Sequence, residues 1–227
     1  MYAPLGRILR PPFGPRLAVV DDDSWWLTGG IPAANCIGAY QPISAADYAT
    51  SKSNLANPGT YDATEGVAPT FSAVNGWVHE ENDYLKSGVV PADNFSAIVR
   101  YSNAINDSSS YLFGALQATP SRYFELNPNR NGDMRFLYGD QILTISGGGE
   151  VAGVAAITPT HGYFDGVSVG NIPAYTWNAI TLDIWLGIRH AAAGPTGSSF
   201  KNIQAAAFYN IDIASYVAGL TTAMNAL

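Results

Sequence analysis

The sequence predicts an all-β sandwich of two antiparallel sheets, with an extended N-terminal arm and one short C-terminal helix. Three observations carry this expectation. From Trp25 onward the chain is a succession of short apolar-rich runs divided by turn residues, the pattern of a sandwich or barrel. Turn-forming pairs stand at Asn75-Gly76, Asn131-Gly132, Gly147-Gly148 and Asp165-Gly166, and such pairs accept the positive φ of tight hairpins. Finally, Ile213, Val217, Leu220, Met224 and Leu227 recur at spacings of four, three, four and three residues, which is the apolar stripe of a helix.

Taken in order, residues 1–24 read as the arm. Pro4, Pro11, Pro12 and Pro15 remove backbone donors and favour extended geometry. Leu5, Ile8, Leu9, Phe13 and Leu17 give it apolar groups that a purely solvating tail would lack, so docking on a partner is preferred to disorder. Arg7, Arg10, Phe13 and Arg16 are its candidate anchoring residues. Trp25 and Trp26 are expected to brace the junction with the domain that follows, residues 25–227. The expected strands there are Cys36–Tyr40, Gly76–Val78, Phe95–Tyr101, Tyr111–Leu116, Tyr123–Leu126, Met134–Tyr138, Gln141–Ser146, Val151–Ile157, Gly162–Phe164, Thr181–Ile188 and Ile203–Tyr209. Asp212 is the expected N-cap of the helix.

At 227 residues and 47% hydrophobic content the chain is long and apolar enough for one large core. The formal charge of −7 is uneven, because residues 1–20 carry three arginines and no acid while the remainder is net acidic. That balance argues against sequence-independent nucleic-acid binding, which depends on neutralising phosphates. A single cysteine, Cys36, excludes an internal disulfide framework. No apolar run approaches the ~18 residues of a membrane span. The N-terminal prolines interrupt any secretory h-region, so the expected product is made in a cytoplasm.

Several segments resemble the laminin-G-like domains of bacteriophage and prophage virion proteins, which are concanavalin A-like jelly rolls. They are Trp26–Ile31, Ala33–Pro42, Asn54–Ala63, Tyr84–Leu85 before Gly88–Pro91, Phe95–Tyr101, Gly162–Val167 and Asn202–Asn210. The resemblance covers about residues 25–227. It implies a virion protein, placed on tail, fibre or capsid surface, whose partners are other virion proteins through the arm and host or environmental glycans. It also implies assembly as a homo-oligomer. One departure is that the segment Ile213–Val217 lacks the capping box with which family members begin the last helix.

Catalytic motifs fail at their decisive positions. Gly166-Val167-Ser168-Val169-Gly170 fits the hydrolase elbow G-x-S-x-G, but the following Asn171-Ile172-Pro173 offers no helix to present the serine. Glu81 to Lys86 resembles the E-x-D-x-x-E strand of jelly-roll glucanases, with Lys86 where the second carboxylate belongs, and a lysine cannot serve as that acid/base partner. Gly147-Gly148-Gly149 reads as a loop, since no helix follows to hold a pyrophosphate. His79, His161 and His190 lie far apart in sequence and form no zinc spacing. Calcium is conceivable at Asn106-Asp107 or Asp21–Asp23, but neither makes a complete loop; no metal or cofactor is expected.

Alternation supplies the candidate surface groups. In Thr181–Arg189, Leu182, Ile184, Leu186 and Ile188 share the core face, which leaves Asp183, Trp185 and Arg189 on the other. An indole between an acid and a guanidinium suits a sugar-stacking platform, a contact with a neighbouring subunit, or a secondary core under a covering loop. His161, Tyr163 and Asp165 share a face as a second patch. The expected activity is non-enzymatic recognition by a lectin-like adhesin. Structural decoration without a ligand is the alternative, and polysaccharide hydrolysis the more remote one.

Overall fold

A computed structural model describes residues 24–197 and 200–227. The arm residues Arg7, Arg10, Phe13 and Arg16, and the acids Asp21–Asp23, lie outside that range. The described chain forms a jelly-roll sandwich of two sheets, with strands numbered in chain order. The first sheet contains β1 (Cys36–Tyr40), β3 (Thr70–Ser72), β4 (Gly76–His79), β6 (Ser96–Ser102), β11 (Gly153–Ile157), β12 (His161–Phe164), β13 (Val167–Asn171) and β17 (Lys201–Tyr209). Its order is β13-β12-β11-β6-β17-β4-β3, with β1 beside β4 on the same edge of β17. The second contains β2 (Thr64–Val67), β5 (Tyr84–Lys86), β7 (Phe113–Ala118), β8 (Ser121–Arg130), β9 (Asp133–Gly139), β10 (Gln141–Ile145), β14 (Trp185–Leu186), β15 (Arg189–Ala191) and β16 (Gly194–Thr196). Its order is β10-β9-β8-β7-β14-β5-β2, and β15 and β16 form a hairpin beside β7. All pairs are antiparallel except β15 with β7.

The main core lies between the sheets. Trp77, Val99, Phe113, Phe124, Phe136, Tyr138 and Phe208 meet there, all buried. Aromatic edges fill the space, as in the T-shaped Phe113–Phe208 pair at 5.7 Å, an arrangement that adds to simple area burial. Two of the hairpin pairs behave as their composition requires. Asn131-Gly132 and Asp165-Gly166 hold positive φ at both residues, which type I′ turns demand. The G-x-S-x-G segment is accordingly a hairpin strand, with β13 returning along β12.

The eight-stranded sheet is buried on its outer face as well. Ile98, Val154, Ala156, Ala205, Ala207 and Tyr209 pack there against Trp25 and the C-terminal helix α2 (Val217–Asn225), the one-turn helix α1 (Tyr48–Ser51) lying earlier in the chain. The expected helical stripe is correct, since Ile213, Val217, Leu220 and Met224 are all fully buried. Its start needs correction. The Asp212 carboxylate accepts from Ala214 N at 2.8 Å, closing a turn, and the helix begins a turn later without a side-chain cap. Its other end is satisfied by a basic residue from the sheet. Arg100 Nη1 donates to the carbonyls of Met224 at 2.8 Å and Leu227 at 3.3 Å, a favourable partner for carbonyls at a helix C-terminus. Trp25 and Trp26 join this layer; Trp25 Nε1 donates to Gln41 and Tyr209 Oη donates to the Trp26 carbonyl.

The expected strand Thr181–Ile188 is the clearest difference. Only Trp185 and Leu186 pair as a strand. Gly187, at φ +86°, donates to Leu112 O at 2.8 Å and lets the chain reverse along β7. Leu182, Ile184 and Leu186 reach the main core as expected. Ile188 does not; it packs with Trp185 and Tyr84 on the opposite side, because the reversal ends the alternation.

Leu220→Ala should cost about 2–5 kcal/mol in urea denaturation, whereas Thr222→Ala on the exposed face of the helix should stay within about 0.5 kcal/mol.

Candidate functional site

Strand register sets one row of side chains across the outer face of the nine-stranded sheet. It runs Thr64, Lys86, Trp185, Gly114, Glu125, Leu137 and Ile142. A shorter parallel row holds Asn127, Arg135 and Thr144. Both rows oppose core residues such as Leu85, Phe113, Leu126 and Phe136, as period-two alternation dictates. Two of the expected site residues, Trp185 and Arg189, come together on this surface, with Asp183 beside them.

Trp185 is nevertheless not a free platform. Its indole stacks on Tyr84 at 4.5 Å and on His190 at 3.8 Å, with interplanar angles of 16° and 8°. Two rings that close to one indole must lie on its opposite faces, so neither face is left for a sugar. The Asp183 carboxylate fixes the stack. It accepts from Trp185 Nε1 at 3.1 Å and lies 3.0 Å from His190 Nδ1. Lys86 Nζ stands 5.5 Å from the indole centre. Of the three readings the sequence leaves open for Trp185, the secondary core is the one that matches its 7% exposure.

Arg189 has a different role. Gly114 leaves room for it, since a Cβ on Gly114 would stand 3.2 Å from Arg189 Cα, Cβ and Cγ. The arginine thus lies over Glu125, the neighbour of Gly114, with Nε 3.9 Å from Oε1. Its Nε donates to Thr196 at 2.8 Å, and its guanidinium sits 5.0 Å from the Tyr111 ring centre. Glu125 is fully buried, and neither carboxylate oxygen has a hydrogen-bond partner. Both side-chain atoms of Asn127, and the Nε atoms of Arg130 and Arg135, are buried without partners as well. Burial pushes the Glu125 carboxyl up to about 8, against the opposing pull of Arg189 and Arg130. Near neutral pH it is therefore mostly a protonated acid, able to donate one hydrogen bond.

Sequence reasoning missed Glu125, Asn127, Arg130 and Arg135. Alternation around Phe124 and Leu126 was a signal for the outward direction of Glu125 and Asn127. The cover over Glu125 comes from Arg189, which is remote in sequence.

The second expected patch is elsewhere. His161, Tyr163 and Asp165 do share a face, but it is the outer face of the eight-stranded sheet. Tyr163 there packs in the layer under α2, and Asp165 accepts from Val154 N at 2.9 Å in the hairpin turn. Among the described residues no three His, Cys, Asp or Glu side chains gather as a metal site. Asp107 accepts from Ser109 N at 2.6 Å, an Asx-type loop bond.

Two outcomes follow from this geometry. Trp185→Ala should destabilise the protein by about 3–5 kcal/mol, measured by denaturant titration, where loss of an exposed platform would leave stability nearly unchanged. Because the folded pKa of Glu125 is raised, its contribution is full below its unfolded value and is lost as pH rises towards about 8. Relative to the parent, Glu125→Gln should therefore gain stability across that range, on the order of 1 kcal/mol per pH unit, in melts across a pH series.

No protein-family model and no curated protein matches the chain. Solved structures do. A Trypanosoma rangeli sialidase mutant displaying trans-sialidase activity superposes with a TM-score of 0.59 at 18% identity, over 85% of this chain and 34% of that one. The Trypanosoma rangeli sialidase in complex with sialic acid gives 0.60 at 16%, over 86% and 33%. The NanB sialidase of Streptococcus pneumoniae gives 0.51 at 14%, over 62% and 26%. The chain thus spans about a third or less of these sialidase chains, and at such identities the likeness is one of fold alone.

Proposed function

We propose that the chain is a non-enzymatic, lectin-type module that recognises glycans through the outer face of its nine-stranded sheet. The observation that carries this reading is the group of buried polar atoms without partners at Glu125 and Asn127, with Arg189 as a roof over Glu125. Unsatisfied buried polar atoms cost about 1–3 kcal/mol each. A hydroxyl-rich ligand that displaces the roof restores the missing hydrogen bonds, which is how polar sites gain selectivity for sugars over apolar molecules. The fold shared with parts of sialidase chains, one of them in complex with sialic acid, supports the reading as an analogy. The resemblance of residues 25–227 to virion domains supplies the setting. The module is carried on a phage tail, fibre or capsid surface, anchored by the arm, and gains avidity from repeated copies.

Full-length protein on a glycan array should bind a defined subset of glycans and release no reducing ends from bacterial polysaccharides. Asn127→Ala provides a sharper check. It removes two unpartnered buried atoms, so its melting temperature should be unchanged or higher, while glycan affinity should fall by about tenfold or more. Blank arrays together with tight binding to isolated tail or capsid shells would replace this reading with a decoration protein.

A further inference from the structure

Three arginines converge on the same surface. Arg130 on β8 and Arg135 on β9 stand over the outer row by register, Arg130 opposite Asp133 and Arg135 opposite Asn127. Arg189 approaches from β15. Arg189 holds its guanidinium 5.0 Å from the Tyr111 ring centre and its Nε 3.9 Å from Glu125 Oε1. The Nε atoms of Arg130 and Arg135 find no partner inside the protein. Arg135 Nη2 reaches Asp133 at 3.3 Å, and Arg189 uses its Nε on Thr196. The side chains of Arg135 and Arg189 keep 27% and 23% exposure. In a chain of net charge −7 this is a local concentration of positive charge.

We infer that Arg130, Arg135 and Arg189, with Glu125 beneath them, form the subsite of a carboxylate-bearing sugar, so that the glycan recognised is acidic. The inference rests on the glycan-binding reading above and names the ligand class for it. A guanidinium presents its donors in a planar fork that matches a carboxylate. The heads of Arg130 and Arg135 can receive the two oxygens while Arg189 swings from Tyr111 to join them, a side-chain motion that leaves the sheet in place. Glu125 then serves as the donor below. A protonated carboxyl gives a hydrogen bond to the ligand carboxylate, whereas an ionised one repels it and draws Arg189 back. The groups facing Glu125 are Arg189 from β15, Tyr111 from the loop before β7, Leu137 from β9, Gly114 from β7 and Arg130 from its own strand. The next charged group along the row is Lys86, beyond Trp185. Arg130 and Arg189 lower the carboxyl's proton affinity, and burial outweighs them.

The test uses calorimetry on the full chain with two pairs of probes: sialyllactose against lactose, and hyaluronan oligosaccharides against their carboxyl-reduced forms. At least one acidic member should bind about tenfold or more tightly than its neutral counterpart. Arg130→Gln and Arg135→Gln, each checked by thermal melt, should each remove about tenfold from the acidic ligand and leave the neutral one unchanged. Affinity for the acid should fall between about pH 6 and about pH 9 in the parent and stay level in Glu125→Gln. Equal binding of acidic and neutral members would overturn the subsite while leaving glycan recognition intact. Binding of sulfated oligosaccharides in place of carboxylated ones would overturn the carboxylate assignment. Absence of binding to every glycan on the array and in solution would remove both readings together.

Discussion

Burial of the eight-stranded sheet on both faces is the constraint from which the rest of the architecture follows. Along β17 the consecutive residues Ala205, Ala206, Ala207, Phe208 and Tyr209 are all fully buried, alternating between the inter-sheet core and the layer under the helix. A strand buried on both sides needs apolar residues in both phases, and small ones where a helix must approach. The same demand explains the continuous run Ala97, Ile98 and Val99 on β6. Once α2 and the Trp25 turn occupy that outer face, Tyr163 of β12 is committed to packing. The large face left for polar groups is the outer side of the nine-stranded sheet, which is where the orphaned atoms of Glu125 and Asn127 occur.

A second dependence runs through two glycines. Gly187 allows the reversal after β14 by adopting φ +86°, and so returns the chain along β7 as β15. Gly114 then allows β15 to come close enough for Arg189 to lie across the sheet. A side chain at Gly114 would strike Arg189 near its backbone, and the cover over Glu125 would be displaced with it. The buried acid is thus created by backbone permissiveness elsewhere, and its raised proton affinity is a consequence of that cover.

These relations explain which features were legible in the sequence. The strand from Cys36 to Tyr40, the Ile203–Tyr209 segment and the stripe through Val217, Leu220 and Met224 each carry their burial pattern locally. The I′ turns at Asn131-Gly132 and Asp165-Gly166 are likewise written in two adjacent residues. The assignment of Ile188 fails because a single positive-φ residue ends the period-two rule, and Gly187 alone does not announce that it will be used so. Alternation puts Trp185 on the outer face, but its stack with Tyr84 and His190 joins residues about a hundred positions apart in the one case and across a reversal in the other. The arginine group is less legible still. Arg130 and Arg135 belong to one hairpin, yet Arg189 reaches them only through the β15–β7 pairing, which is the single parallel contact among the described strands.

The charge distribution also bears on how an acidic ligand would be captured. The domain as a whole repels anions, since the net charge is −7, and that repulsion acts over roughly the Debye length of about 8 Å at physiological ionic strength. Guanidinium groups at the surface are effective only inside this distance, so they confer discrimination at contact rather than acceleration of the encounter. A single site of this kind pays desolvation of three cations and retains modest affinity. Under the proposed reading, repetition of the module on one support would compensate, because a second copy binds at the effective concentration set by the first. Weak, acid-selective single sites and a multivalent support would therefore be linked requirements of that reading: selectivity would come from the short-range geometry at Arg130, Arg135 and Arg189, and strength of attachment from copy number.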